Sequence, residues 1–287
     1  MNLLTTPKAA TASDQLVNLW LGGKSRHTAD YYRRSARRFQ EFVGKPLHLV
    51  TFAEVQAFAS HLESLELAAS SRRSIISAVK SLLSFGNKIG VFSANVGAPL
   101  KTPSAPDTLS ERILSESQVQ VTIALEQNPR NQAILRLLYY GGLRVSELCG
   151  LKWRNLQSRG AIGQVTVYGK GDKTRVVVLP GELWSQLLQL RSGAGESEPV
   201  FASRKRGCGG HMHRYSVDRI VKAAAKRAGI QGDVSPHWLR HAHASHALER
   251  GAKIHLVQAT LGHSSVAVTS RYLHARPEES SGLYLPK

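Results

Sequence analysis

Hydrophobic positions in the first hundred residues recur at helical spacing. Between Tyr32 and Val43 the apolar residues step by four, three and four, which places them on one face of a helix. A second apolar stripe runs from Ile75 to Leu83, with arginine and lysine on the opposite side. We therefore predict an all-helical first domain with helices over residues 14–21, 28–43, 52–65 and 69–86.

A segment poor in apolar residues follows this helical region. Residues 99–108 contain three prolines together with lysine, serine and aspartate, a composition typical of a linker. We therefore predict a domain over residues 1–98, a linker over 99–108 and a second domain over 109–287.

The second domain mixes helical signals with one strong strand signal. Ser115–Gln118 forms a capping box that predicts a helix start, and a further helix begins near Pro129 and ends before Gly141-Gly142. Two β-rich runs, 164–168 and 174–179, flank a glycine- and lysine-rich turn, which predicts a hairpin. Helices then resume from Gly181, including one over 216–228. The fold class expected is mainly α with a small β-hairpin or sheet.

Charge narrows the class of partner. Lysine and arginine total 38 against 20 aspartates and glutamates, a formal net charge of +18. Such an excess favours a polyanionic partner, first nucleic acid and second an anionic membrane surface. The two cysteines form no disulfide framework, and no apolar run is long enough to cross a bilayer. We expect a cytoplasmic protein associated with DNA and no membrane partner.

Six residues of the second domain suit phosphoryl transfer without a metal. They provide two guanidinium groups, an ammonium, two imidazoles and a phenol, and no carboxylate or cysteine. They are Arg144, Lys170, His237, Arg240, His263 and Tyr272. The arginines are predicted to clamp phosphate oxygens, the lysine and histidines to move protons, and the tyrosine to act as nucleophile.

Some neighbouring residues bear on these roles. Glu147 follows Arg144 by three positions, so on a helix it shares a face with that arginine and can orient it. Lys173 and Arg175 are close enough to Lys170 to compete for its role. His241 and further histidines crowd the segment after His237, but their spacing matches no zinc motif. We predict no metal or cofactor and expect His241 to pack or hydrogen-bond locally.

The order and spacing of the motifs resemble the tyrosine recombinase (phage integrase) family, closest to its compact Xer-type members. Arg144 lies in G-L-R-V-S-E-L and Lys170 in G-K-G. His237 to Arg240 is H-x-x-R, His263 closes L-G-H, and Tyr272 lies nine positions on. The resemblance covers about residue 12 to about residue 275.

The resemblance implies a fold and a reaction. The fold would be a helical core-binding, SAM-like domain plus a mixed α+β catalytic domain that together form a C-shaped DNA clamp. The reaction would be site-specific recombination through a 3′-phosphotyrosyl intermediate, with Lys170 as general acid. The partners implied are double-stranded DNA core sites and three further copies of the chain, which together form a homotetramer. The DNA intermediate implied is a Holliday junction.

Two other functions stay open at this point. One is a DNA-binding protein of the same fold without strand exchange, and the other is a type IB topoisomerase-like nicking-closing enzyme. Non-catalytic DNA contacts are expected from the basic residues of both domains, and most of these would bind phosphates. The candidates are Arg33, Arg37, Arg72, Lys80, Lys173, Arg204, Lys205, Arg214, Arg219 and Lys222.

Overall fold

The chain forms two compact units, Met1–Pro106 and Asp107–Lys287. The computed structural model describes residues 12–104, 108–169, 174–203 and 210–273. None of the helices in these ranges is long and apolar enough to cross a membrane.

In its described part, the first unit is built from α-helices. Ser25 caps the second of them through its hydroxyl, which accepts from the Thr28 N–H, and Gly44 ends it in the left-handed conformation with φ 62°. The helices are α1 (Ala12–Leu21), α2 (Arg26–Val43), α3 (Phe52–Ser64) and α4 (Ala69–Lys88).

The core of the first unit lies where these helices meet. Phe39 of α2 and Phe58 of α3 pack edge to face with ring centroids 5.0 Å apart, and both are buried. Leu82 and Leu83 of α4 are fully buried beside them. The apolar stripes in the sequence are therefore the faces turned toward the core.

The second unit surrounds a buried central helix. Five residues of that helix, between Ala133 and Leu138, have no exposed surface. The helices of this unit are α5 (Glu116–Ala124), α6 (Pro129–Tyr139), α7 (Val145–Gly150), α8 (Gly181–Arg191), α9 (Arg214–Arg227), α10 (Pro236–Glu249), α11 (Ile254–Leu261) and α12 (Val266–Ser270). The central one is α6.

A small antiparallel sheet completes this unit. It consists of β1 (Leu156–Arg159), β2 (Ile162–Tyr168) and β3 (Thr174–Leu179) in the order β1-β2-β3. The predicted hairpin is present, with Tyr168 paired to Thr174. Strand β1 was not predicted, because only one of its four residues is buried and its sequence lacks an apolar alternation.

The mainly helical class with a small sheet is thus confirmed. Three helices, α1, α2 and α9, start two residues earlier than predicted. The run expected from residue 216 begins at Arg214, because the His213 side chain accepts a hydrogen bond from the Tyr215 N–H at 3.2 Å and caps it.

Gly163 in β2 gives a test of how tightly the sheet packs on α8. A Cβ at this position would lie 2.3 Å from the indole of Trp184, which is itself buried. We expect Gly163→Ala to lower the free energy of unfolding by about 1–3 kcal/mol through overpacking, as measured by urea denaturation.

Gly150→Ala is the matched control for this measurement. Its Cβ would have no atom within 4 Å and its φ is not positive, so stability should be unchanged or slightly higher. Equal effects at both positions would mean that α8 shifts away from the sheet without cost.

Candidate active site

The loop between α6 and α7 brings the first arginine to the end of α11. Gly142 in this loop has φ +56°, and a Cβ there would lie 2.7 Å from the Leu261 side chain. Only glycine combines this conformation with so close an approach. The loop therefore lies directly against the segment that leads to His263.

Arg144 caps α7 and extends toward that segment. Its Nη1 donates to Glu147 Oε1 at 2.8 Å, and its Nη2 donates to the Gly262 carbonyl at 3.1 Å. The side chain is 36% exposed, so part of the guanidinium remains available to a ligand in the cleft.

Arg240 of α10 reaches the same place from the protein interior. Its Nη2 donates to the Leu261 carbonyl at 2.6 Å, and its Nη1 donates to the Gly142 carbonyl. Burial and then the nearby charge of Arg144 lower the pKa of Arg240 below its ordinary value. Arg144 and Arg240 therefore meet at two consecutive carbonyls, those of Leu261 and Gly262.

Glu147 connects Arg144 to a third arginine. Arg175 of β3 donates from Nη1 and Nη2 to the two carboxylate oxygens of Glu147, at 2.9 and 2.8 Å, and from Nε to the Thr260 carbonyl at 2.7 Å. Burial alone would raise the pKa of Glu147, but the hydrogen bonds from Arg175 and Arg144 outweigh it and lower the pKa to about 2. Glu147 therefore hydrogen-bonds to both Arg144 and Arg175.

Tyr272 lies close to two histidines. Its hydroxyl is 2.7 Å from His241 Nδ1, and its ring lies parallel to that of His263, with centroids 6.3 Å apart and planes 7° apart. His263 Nδ1 is paired instead with the Thr269 hydroxyl at 2.9 Å. Burial raises the pKa of Tyr272, opposed by Arg240 and Arg271. The phenol is consequently protonated at neutral pH in the free protein.

His237 and His263 are both biased toward the neutral form. Burial, followed by the charges of Arg240 and Arg144, lowers the pKa of each, to about 4 for His263. Neutral imidazoles can accept as well as donate protons.

Several predicted residues cannot be placed in this site. Lys170, Lys173, Arg204 and Lys205 lie outside the described residues. The strands that flank the first two do reach the site, because Tyr168, Gly169 and Thr174 line a cleft of about 880 Å³ with Arg144 and His263. Among the described residues, no group of three or more His, Cys, Asp or Glu side chains is arranged to hold a metal.

Comparisons with known proteins match both parts of the chain to one protein family. A model of the phage integrase family matches residues 111–279, and a model of the phage integrase N-terminal SAM-like domain matches residues 16–88. The chain belongs to the phage integrase family. The tyrosine recombinase resemblance noted in the sequence is thereby confirmed.

Individual members of the family align with nearly the whole chain. Tyrosine recombinase XerC of Xylella fastidiosa (strain M23) is 36% identical over 273 residues, 91% of this chain and 90% of XerC. The XerA recombinase structure has 29% identity and a TM-score of 0.54, covering 96% of this chain and 99% of XerA. The XerH recombinase bound to its difH substrate has 20% identity and a TM-score of 0.70, covering 96% of this chain and 86% of XerH.

Two residues of this integrase-family site were not identified as such from sequence. From sequence, Arg175 is only an alternative to Lys170 as the general acid. In the structure its guanidinium donates hydrogen bonds to the Glu147 carboxylate and the Thr260 carbonyl. His241 was expected to bond locally, yet its partner Tyr272 is 31 positions away. Its spacing of four from His237, which puts both on one face of α10, was the available signal.

The other predicted DNA contacts lie on exposed or partly exposed helical positions. Arg33 and Arg37 of α2 pair with Asp30 and Glu41, and Lys222 of α9 pairs with Asp218 and Asp233. Lys80 donates to the Leu100 carbonyl and so also ties α4 to the chain that follows. The remaining positions are Arg72 in α4, and Arg214 and Arg219 in α9.

Glu147→Gln should destabilise this integrase-family protein in a pH-dependent way. The change leaves Arg144 and Arg175 without their carboxylate, at a cost of about 3 kcal/mol near pH 7. The folded pKa of Glu147, about 2, lies below its ordinary value of 4.5. Its stabilisation is therefore complete above about pH 4.5 and is lost as the pH falls toward 2. Urea denaturation should show the difference between parent and variant shrinking over that range.

Glu182→Gln is the control for a glutamate–arginine pair. Glu182 accepts from Arg136 at 2.7 Å, but its side chain is 80% exposed, so its loss should cost less than about 1 kcal/mol. A difference for Glu147→Gln that stays constant from pH 7 to pH 3 would contradict the depressed pKa.

Proposed function

We propose that this protein is a site-specific DNA recombinase that cuts and rejoins strands through a 3′-phosphotyrosyl intermediate. The observation that carries the proposal is the meeting of Arg144 and Arg240 at the Leu261 and Gly262 carbonyls, immediately before His263. Tyr272 lies against the same histidine. A phosphate at this point would meet two planar guanidinium groups and a nucleophile in one place.

The cleavage step follows from these residues. The Tyr272 hydroxyl oxygen attacks the scissile phosphorus and gives up its proton to a histidine of the site, a bond from oxygen to phosphorus forms, and the bond to the 5′-oxygen breaks. Arg144 and Arg240 stabilise the charge that grows on the non-bridging oxygens. Lys170 is proposed as the acid that protonates the leaving 5′-oxygen.

Strand exchange is the reverse step with a different nucleophile. The phosphotyrosine conserves the energy of the broken phosphodiester, so neither ATP nor a metal is needed for rejoining. The 5′-hydroxyl of a second duplex attacks it and releases Tyr272. We propose a homotetramer on two core sites for this exchange, with a Holliday junction as intermediate and the basic residues of both units contacting DNA phosphates.

The relatives support DNA as the partner. XerH was crystallised with its difH substrate, and a lambda integrase dimer with a COC′ core site. The formal net charge of +18 fits the same kind of partner. Recombinant products from a DNA with two core sites would distinguish this function from a nicking-closing enzyme, which yields only relaxed circles.

Tyr272→Phe should bind DNA but form no covalent adduct, because the variant lacks the oxygen that attacks phosphorus. Parent and variant would be incubated with a nicked suicide duplex and separated on a denaturing gel, with a gel shift to compare affinity. An adduct formed by Tyr272→Phe would exclude Tyr272 as the nucleophile.

Arg240→Ala should impair cleavage far more than binding. One lost donor to the transition-state oxygens costs about 3–4 kcal/mol, roughly two to three decades in rate. Arg240→Lys should recover only part of this loss, since an ammonium cannot reproduce a planar fork. Single-turnover cleavage and DNA affinity would be measured together on the folded fraction, because Arg240 also satisfies buried carbonyls.

Arg37→Ala is the contrasting variant, since Arg37 is highly exposed on α2. It should weaken affinity modestly and leave the cleavage rate at saturating DNA unchanged. If Arg240→Ala behaved in the same way, Arg240 would be a residue that positions DNA and not a phosphate clamp.

A further inference from the structure

We propose that His241 is a catalytic residue, the base that takes the proton from the Tyr272 hydroxyl during strand cleavage. The inference rests on the proposed function, in which Tyr272 is the nucleophile. It adds one member to the six residues identified from the sequence.

The geometry favours His241 over the other histidines of the site. His241 Nδ1 lies 2.7 Å from the Tyr272 hydroxyl oxygen, a normal hydrogen-bond distance. His263 lies flat beside the phenol ring, and its Nδ1 is paired with the Thr269 hydroxyl. His237 lies one helical turn from His241, with ring centroids 6.3 Å apart. His241 is therefore the imidazole already in contact with the reacting oxygen.

The surroundings of His241 set its charge. It is flanked by His237 and Arg240 on its own helix, by Arg112 of the turn Ser110–Arg112, and by Arg271 after α12. Burial, and then these groups, lower the pKa of His241 to about 4. The ring is neutral at pH 7, and with its proton on Nε2 it can accept from Tyr272.

A bound DNA substrate would change the protonation equilibrium of His241. Among the cations that disfavour an imidazolium at His241 in the free protein, Arg240 is also one that would face the scissile phosphate. A phosphate anion bound between Arg144 and Arg240 offsets their charge and raises the proton affinity of His241. The base would thus become effective only when DNA is in the site, while Arg240 favours the phenolate that forms.

During strand cleavage one bond to phosphorus forms and another breaks. The Tyr272 oxygen forms its bond to phosphorus, and the phenol proton passes to His241 Nδ1. The bond from phosphorus to the 5′-oxygen breaks, and the 5′-oxygen takes a proton from the general acid, the role proposed for Lys170. During strand joining, His241 returns its proton to the departing phenolate.

His241→Asn separates proton transfer from positioning. The amide oxygen of asparagine can occupy the place of Nδ1 and accept a hydrogen bond, but it cannot take up a proton. We expect single-turnover adduct formation on a nicked suicide duplex to fall by about 100-fold or more, with unchanged DNA affinity. His255→Asn, at an exposed position of α11, should cleave at the parental rate.

A modified substrate distinguishes the base from the acid. Sulfur in place of the bridging 5′-oxygen leaves as a thiolate, which needs no proton. The slow cleavage expected of Lys170→Ala should then be restored, whereas His241→Asn should stay slow. Added imidazole should restore cleavage at least tenfold to folded His241→Ala and not at all to Tyr272→Phe.

Three results would overturn the assignment. These are parental cleavage by His241→Asn, its rescue by the sulfur substrate, or no response of folded His241→Ala to imidazole. If the parental chain itself formed no adduct through Tyr272, the proposed function would fail as well. The parental adduct assay, run first, tells that failure from a failure confined to His241.

Discussion

The carboxylate of Glu147 is buried between two guanidinium groups, and three segments of the second unit are held through it. It accepts from Arg144, whose Nη2 reaches the Gly262 carbonyl, and from Arg175, whose Nε reaches the Thr260 carbonyl. The loop before α7, strand β3 and the end of α11 are thereby fixed to one another. A buried charge that is fully hydrogen-bonded can impose such an arrangement, since each alternative leaves an ion unpaired.

The same cluster is electrostatically incomplete without an anion. Arg144, Arg175 and Arg240 bring three positive charges together, and Glu147 offsets only part of them. The consequences appear in the lowered pKa of His263, where burial is followed by the charges of all three arginines, and in that of His241, where Arg240 adds to the effect of burial. Tyr272 shows the opposite balance, because burial raises its pKa more than the cations lower it. The resting site therefore has neutral histidines and a neutral phenol, and the phosphate of the proposed substrate would supply the missing negative charge.

Local sequence patterns were enough to predict most of the fold and to nominate many of the candidate site residues. The periodic stripes of α2 and α4, the Ser115 cap and the hairpin are short-range features, so residue spacing was enough to predict them. Strand β1 was not predicted from residue spacing because it is an edge strand with one buried residue. Its pairing with β2 depends on the tertiary structure. Arg175 and His241 were missed as site residues for a related reason. Their partners, Glu147 and Tyr272, lie 28 and 31 positions away, and distances of that kind are set by packing.

The position of Tyr272, the proposed nucleophile, depends on such packing. Helix α12 has five residues, too few to be stable by itself. It is held instead by the buried Thr269 and by Tyr272, whose ring belongs to a small cluster that includes Ile113, Ala244 and Leu261. The phenol ring of Tyr272 is thus part of the core, while its hydroxyl faces His241. This cluster of six buried residues is much smaller than the core that contains the buried residues of α6. Tyr272, the proposed nucleophile, thus lies in the smaller cluster, while Arg144, Arg175 and Arg240 lie where Glu147 and the backbone carbonyls hold them.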